Sequence, residues 1–542
     1  MTDSLLRDRK LMAIAAVVIV GAVMSILDTT IINVALQDLS KDLDAPLSTV
    51  QWVATGYMLA LAAVIPLTGW ASEQFGGKRV WIVAVALFTT TSALCGLAQN
   101  VDQLIALRVL QGVGGGMIMP IGQIMLTQQA GPQRVGRVMS VIAVPMLLAP
   151  IFGPTIGGLI VDHLSWRWIF LVNVPVGIVG LLLARRVLPR SEGHGGVPLD
   201  WLGAILASGG AAAFVFGLSE TGEKGGFEGA ITWGPIAVGL VLLVLYVLHA
   251  IRTPHAVINV HLFRKVGFSS ASATTFVLGG TMFGAMILLP LYFQVARGED
   301  ATHAGLLLIP QGVGMAIAMP LSGVITDRIG GGLPTIVGVA VVTVTTFMFA
   351  AVGGDTSYVL ISAILLVRGF GIGMSMMPSM AAAYATLSHA EVPRATTGLN
   401  VLQRVGGAIG TALFTVVLTR AMADRGFSGS LGEGAARPDG AVPLEVRNQI
   451  ADAFGHTFTW AAIITIVALA PAVLLAVVER RARRAAALAG GPGEDAPGAG
   501  GPGGPGPGPA SGSDGDGPAP EGPTTVERAA AAASGAGPAA GA

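Results

Sequence analysis

The sequence predicts an all-α polytopic membrane protein: two six-helix bundles plus two extra central helices, fourteen spans in all. Three observations predict it. Of the 542 residues, 53% are hydrophobic and only 11% charged, with a mean hydropathy of +0.71; a soluble domain carries about a quarter charged residues. Apolar windows of about 20 residues, the length that crosses a bilayer, recur fourteen times. Two stretches of the first half return in the second at a nearly constant offset.

The windows run over 11–36, 50–70, 80–98, 102–127, 136–161, 168–188, 200–218, 232–251, 267–294, 303–326, 333–352, 357–385, 396–419 and 457–478. The first follows Arg7, Arg9 and Lys10 but is too long for a signal h-region and ends on no small-residue cleavage site. Loop charge tests the alternation. Segments on the N-terminal side carry 19 Lys/Arg up to Arg484, among them Lys78, Arg79, Arg185, Arg186, Arg190, Arg328 and Arg394. The short loops on the other side carry four: Lys41, Arg167, Lys224 and Arg297. By the positive-inside rule both termini are cytoplasmic. From about Ala485 the chain is dominated by Gly, Pro and Ala and has no aromatic residue, which predicts a disordered tail.

Gly69-Trp70-Ala71-Ser72-Glu73-Gln74-Phe75-Gly76-Gly77-Lys78 is echoed by Gly323-Val324-Ile325-Thr326-Asp327-Arg328-Ile329-Gly330-Gly331, an offset of 254. Arg108 and Met119-Pro120 are echoed by Arg368 and Met377-Pro378, at offsets of 260 and 258. Six helices occupy about 190 residues, so the repeat is six helices plus two inserted ones, an even number that preserves orientation. The expected domains are 1–190 and 267–484 for the two bundles, 191–266 for the added helices, and 485–542 for the tail.

The chemistry centres on Asp28, in the outer half of the first span. A carboxylate at that depth costs several kcal/mol if ionised and unpaired, and anchoring a helix requires none. Arg108, about 9 Å into its helix, lies at similar depth and is the expected partner. A cation beside a carboxylate favours its ionised form, and apolar surroundings its neutral form, so separating the two would move a proton. Gln111 and Gly112 share the Arg108 face. With Asn33, Arg368 and Arg404, Gln111 is a candidate for the substrate cavity. One intramembrane acid against three arginines favours neutral or anionic substrates.

The 69–79 loop offers a latch: Gly69 and Gly76 let helix ends approach, while Glu73, Lys78 and Arg79 can reach across the cytoplasmic face, with Asp327 and Arg328 as their echo. In the fifth window, Ala149, Gly153 and Gly157 form a small-residue ladder for close helix contact. With Pro150, Pro154 and Gly158 it reads as a hinge or seal.

Formal net charge is zero, which argues against nucleic acid, and Cys95 is the single cysteine. No G-x-x-x-x-G-K-[ST] or H-E-x-x-H motif occurs, so neither ATP nor a metal is expected to drive the chain. No nucleophile–base set suggests an enzyme.

Residues 10–480 resemble the fourteen-helix drug:proton antiporter branch of the major facilitator superfamily. Leu27-Asp28-Thr29-Thr30-Ile31-Ile32-Asn33-Val34-Ala35-Leu36 resembles that branch's first-helix motif, whose acid is implicated in proton coupling. The 69–79 loop resembles the superfamily's loop 2–3 signature. Arg108 sits in a stretch similar to the helix-4 motif linked to proton transfer, and Gly153-Pro154-Thr155-Ile156-Gly157-Gly158 resembles the helix-5 antiporter motif. Trp166-Arg167-Trp168-Ile169-Phe170-Leu171-Val172-Asn173-Val174-Pro175-Val176-Gly177 resembles the loop 5–6 signature. Gln37, Glu73 and Gly77 depart from the usual proline, aspartate and arginine. The resemblance implies a major facilitator fold and a proton-coupled antiporter that exports amphipathic drugs or antibiotics across a bacterial cytoplasmic membrane. It would be multi-pass, lipid-embedded, monomeric and without a cofactor, driven by the proton gradient. Alternatives are a dedicated exporter of one self-made metabolite and, from another class, a non-transporting sensor on a transporter fold.

Overall fold

The computed structural model describes residues 9–131, 138–139, 141–142, 153, 156–161, 163–190, 193, 195–223, 229–385, 387–427 and 444–489. Among these, thirteen helices are long and apolar enough to cross a membrane. The first six are α1 (Arg9–Asp42), α2 (Leu47–Phe75), α3 (Gly77–Gly96), α4 (Val101–Ala130), α5 (Arg167–Val187) and α6 (Trp201–Glu223). Next come α7 (Ala230–Arg252), α8 (Val266–Ala296), α9 (Thr302–Ile329) and α10 (Gly332–Ala350). The last are α11 (Tyr358–Ala385), α12 (Val392–Ala423) and α13 (Leu444–Arg481). The expected 136–161 span lies largely outside the described residues. Of the tail expected at 485–542, residues 485–489 continue the last helix, contrary to expectation, and the rest lies outside the described residues. Every other expected window coincides with one of the thirteen.

The two halves pack by one pattern. In the first, α4 lies against both α2 and α3, and α1 against α4 and α5. In the second, α11 lies against α9 and α10, and α8 against α11 and α13. Duplicated pairing is what the duplicated motifs require. Glycines make the α4 contacts close: a Cβ at Gly112 would stand 2.5 Å from the Tyr57 carbonyl oxygen, and one at Gly114 2.8 Å from that of Ala84. The helix thus approaches α2 and α3 backbone to backbone, where dispersion replaces the hydrophobic drive that lipid removes.

The added helices α6 and α7 pack on each other, and α6 also packs against α2 and α12. Phe214, Leu218 and Ile236 form one cluster with Ala412 of α12, while Trp52 of α2 meets Phe216 at 5.6 Å. By these contacts α6 bridges the halves. Leu240, Val241, Val244, Leu245 and Leu248 leave α7 with an exposed apolar face, as expected of a helix turned to lipid in a multi-pass membrane protein.

Among the described residues the core is joined at one end only. At the end carrying the 69–79 loop, Trp81 and Met125 of the first half share a cluster with Met376, Met380, Tyr384 and Leu399 of the second. At the opposite end the halves keep separate cores, one around Ile32, Val53, Leu104 and Phe170 and another around Phe293, Phe349, Phe414 and Phe454.

Candidate functional site

Asp28 and Arg108 meet. Both are buried, at 1% and 0% exposure, and Arg108 Nη1 donates to Asp28 Oδ2 at 2.5 Å. The same nitrogen donates to Gln111 Oε1 at 2.9 Å, and Nε donates to the Val53 carbonyl at 3.0 Å. The guanidinium lies 4.2 Å from the centre of the Tyr57 ring, a cation–π contact strengthened by the dry surroundings. The second Asp28 oxygen accepts from Gln111 Nε2 at 3.1 Å and from Asn173 Nδ2 at 3.0 Å. Asn173 in turn reaches Ser92 Oγ at 3.2 Å, and Ser92 donates to the Phe170 carbonyl at 2.9 Å. Five helices thus converge on one carboxylate. A buried ion pair is tolerated when its remaining lone pairs and protons are also satisfied; these amides and carbonyls supply that except at Arg108 Nη2, which has no hydrogen-bond partner among the described residues.

A second set lies at the joined end. Along α12, residues 394, 397 and 400 present one stripe to the first half. Arg394 grips both Glu73 oxygens, at 2.9 to 3.2 Å. Thr397 Oγ1 lies 3.1 Å from Thr68 Oγ1, and Asn400 Nδ2 donates to Gln123 Oε1 at 2.8 Å. Gly69 sits under this seam, where a Cβ would come within 2.8 Å of Thr397 Oγ1. Every polar partner across the seam is a pair that must break if the halves part there.

The latch differs from the one expected of the loop. Glu73 does bridge the halves, but to Arg394. Lys78 turns to its own half, donating to the Arg185 and Leu188 carbonyls at 2.9 and 2.6 Å, where the frayed end of α5 offers unpaired acceptors. Arg79 is exposed. Gly76 closes α2 at φ +83°, a conformation that favours glycine. In the echo, the Arg328 carbonyl accepts from Arg483 at 2.8 Å, Asp327 is half-buried, and Glu479 of α13 holds the Gly331 and Gly332 amides at 3.2 and 2.7 Å.

In the fifth segment, Gly153 and Gly157 abut Thr30 and Ile31 of α1, while a Cβ at Gly158 would meet none of the described residues. Pro154 lies outside the described residues, as does the Asn33 side chain. Arg368 is 3% exposed and donates to Gln311 Oε1 at 2.7 Å, far along the chain from Asp28 and in the other half. Arg404 is half-buried on α12. Among the described residues neither hydrogen-bonds to the Asp28 set.

Asn173, Ser92, Tyr57, Gln123 and Asn400 were not singled out from sequence. A signal existed for Asn173 and Asn400: an asparagine inside an apolar span has to find a partner helix.

The sequence profile of the Major Facilitator Superfamily matches residues 18–411. A multidrug resistance protein B homolog of Mycobacterium tuberculosis is 36% identical over 499 residues, 88% of this chain and 92% of that protein. The multidrug export protein EmrB of Haemophilus influenzae is 30% identical over 397 residues, 72% of this chain and 77% of its own. The crystal structure of the human organic anion transporter MFSD10 superposes with a TM-score of 0.56 at 14% identity, covering 86% of this chain and 99% of that one, a likeness of fold alone. With the matched span, the duplicated halves and the helix count together, the chain belongs to the Major Facilitator Superfamily.

Proposed function

We propose that this chain exports amphipathic small molecules, drugs or antibiotics, across the bacterial cytoplasmic membrane in exchange for protons, with Asp28 as the proton-carrying group. The observation that carries the reading is the buried carboxylate bound by Arg108, Gln111 and Asn173 at 2.5 to 3.1 Å. Packing needs no such acid, and it costs several kcal/mol when its partners leave. A carboxylate that alternates between this cage and a site without Arg108 alternates between releasing and holding a proton. The names of the relatives support export of drugs. The basic, joined end supports a cytoplasmic seam that is shut, with the chain facing outward, ready to take up a proton.

In this reading the 1–190 and 267–484 halves rock about the Asp28 level, both termini stay cytoplasmic, and a monomer in lipid suffices without a cofactor. One pH unit and 100 mV supply about 1.4 and 2.3 kcal/mol per proton, roughly a 500-fold gradient of a neutral substrate. The test is export against a gradient in everted membrane vesicles. Asp28→Asn keeps size and polarity but cannot titrate, so the expected result is normal membrane level and loss of uphill export. Normal uphill export by Asp28→Asn overturns the assignment. A pump-deficient host that gains resistance to none of a panel of toxic compounds overturns the export reading itself.

A further inference from the structure

The two halves treat their repeat-related arginines differently. Arg108 has a carboxylate, an amide, a backbone carbonyl and a ring around it. Arg368, equally buried, has Gln311, and among the described residues no carboxylate lies within ion-pair distance of it. At the offset of 260 Arg368 repeats Arg108, and at the α2 offset of 254 Gln311, which accepts from Arg368, repeats Tyr57, whose ring lies on Arg108. Met282 and Met286 of α8, the repeat of α1, line the cavity beside Arg368. The second half keeps the guanidinium but has methionines on the helix that carries the acid in the first half.

Beside Arg368 lies a cavity of about 100 Å³, lined by Met282, Met286 and Met315 together with Gln311 and Ile372. A water needs roughly 10–15 Å³ of such space, so a carboxylate and the start of an apolar body fit. A buried guanidinium without a counter-charge is costly, its fork matches a carboxylate in two-pronged fashion, and methionine walls adapt to varied apolar shapes.

We propose that Arg368 and Gln311 form a subsite for the anionic headgroup of an amphipathic organic anion, a carboxylate or sulfonate, whose apolar body lies among the three methionines. The ligand supplies the charge that Asp28 supplies in the first half. This rests on the export reading, of which it names a substrate class.

The test is equilibrium binding of radiolabelled 1-naphthoate to the purified full chain in detergent, beside its neutral isostere 1-naphthamide and with chloride as competitor. Wild type is expected to bind naphthoate more tightly than naphthamide and to keep it in physiological chloride. Arg368→Gln is expected to weaken naphthoate at least about tenfold and to leave naphthamide nearly unchanged. Met286→Asp returns an internal carboxylate to the cavity, so it should melt no lower than wild type and lose naphthoate binding. Equal affinity of wild type for acid and amide, equal naphthoate affinity in Arg368→Gln, or displacement by chloride, the mark of an inorganic-anion site, each overturns the proposal. The assay uses no proton gradient, so failure of the export reading appears only in the vesicle and resistance experiments.

Discussion

Arg394 and Glu73, 321 positions apart, hold each other in a two-pronged ion pair with both side chains 15% exposed. One turn further along α12, Thr397 meets Thr68, and another turn on, Asn400 meets Gln123. The joined end is therefore closed by a ladder of polar pairs over a shared apolar cluster rather than by apolar packing alone. Such pairs are directional and break as units, which suits a seam that opens and recloses.

If this seam parts during transport, tying it shut must stop transport. Thr68→Cys with Thr397→Cys, in a chain with Cys95 replaced, brings two thiols together where hydroxyl oxygens stand 3.1 Å apart. Mild oxidation should cross-link them and abolish export, and a reductant should restore it. Cross-linked protein that exports at the normal rate would show that the seam stays shut throughout the cycle.

Glu73→Gln keeps the shape of the Arg394 partner but removes its charge. The pair is half-screened, so the expected loss is about 1 kcal/mol of closure. A single cysteine at Thr397, buried in the closed seam, should then react several-fold faster with N-ethylmaleimide than in the Glu73 parent. An unchanged rate would assign the ion pair to the surface rather than the seam.

The glycines separate into two kinds. At Gly112 a Cβ would press on the Tyr57 carbonyl at 2.5 Å, beneath the ring that stacks on Arg108. Gly112→Ala should cost about 1–3 kcal/mol by overpacking and disturb export. Gly158→Ala meets nothing within 4 Å among the described residues and should be neutral within about 0.5 kcal/mol. Thermal unfolding in detergent and export assays on the two variants check the contrast.

What was legible in the sequence follows from what each feature costs. Spans are legible because a bilayer demands some 20 apolar residues in a row, and a buried charge demands a partner. Asp28 and Arg108 could therefore be matched by depth alone. Asn173 was not matched, because an amide 145 residues from Asp28 leaves no imbalance of charge to account for. Glu73 had many basic residues to choose from at its end of the molecule, and only packing selects Arg394 over Lys78. The position of α6 was equally hidden. A helix apolar on every side carries no stripe to say what it faces.

Arg108 should resist its most conservative replacement. Its Nε and Nη1 serve the Val53 carbonyl, Gln111 and Asp28 at once, and its plane lies on Tyr57. A lysine keeps the charge but has neither the fork nor the plane. Arg108→Lys should preserve membrane level better than Arg108→Ala, which strands Asp28 at a cost of about 3–5 kcal/mol, yet export more slowly than wild type. Full activity in Arg108→Lys would reduce the site to a point charge.

Asn173 gives the sharpest test of whether the cage acts as a unit. Its amide donates to both Asp28 and Ser92, so Asn173→Ala leaves a buried carboxylate oxygen with Gln111 as its remaining donor among the described residues. The expected cost is about 1–3 kcal/mol, read as a lower unfolding temperature in detergent. Asn173→Asp places a second carboxylate 3.0 Å from the first with no second cation paired to it among the described residues, so one of the two must take up a proton. That variant should fold best at low pH and lose stability as pH rises, while Asn173→Ala should lack this dependence. In a double-mutant comparison, Asp28→Asn should remove most of the pH dependence that Asn173→Asp introduces, because the like-charge pair is then gone. If Asn173→Asp keeps the same pH dependence with Asp28→Asn as without it, the two side chains are not coupled and the cage is a packing contact.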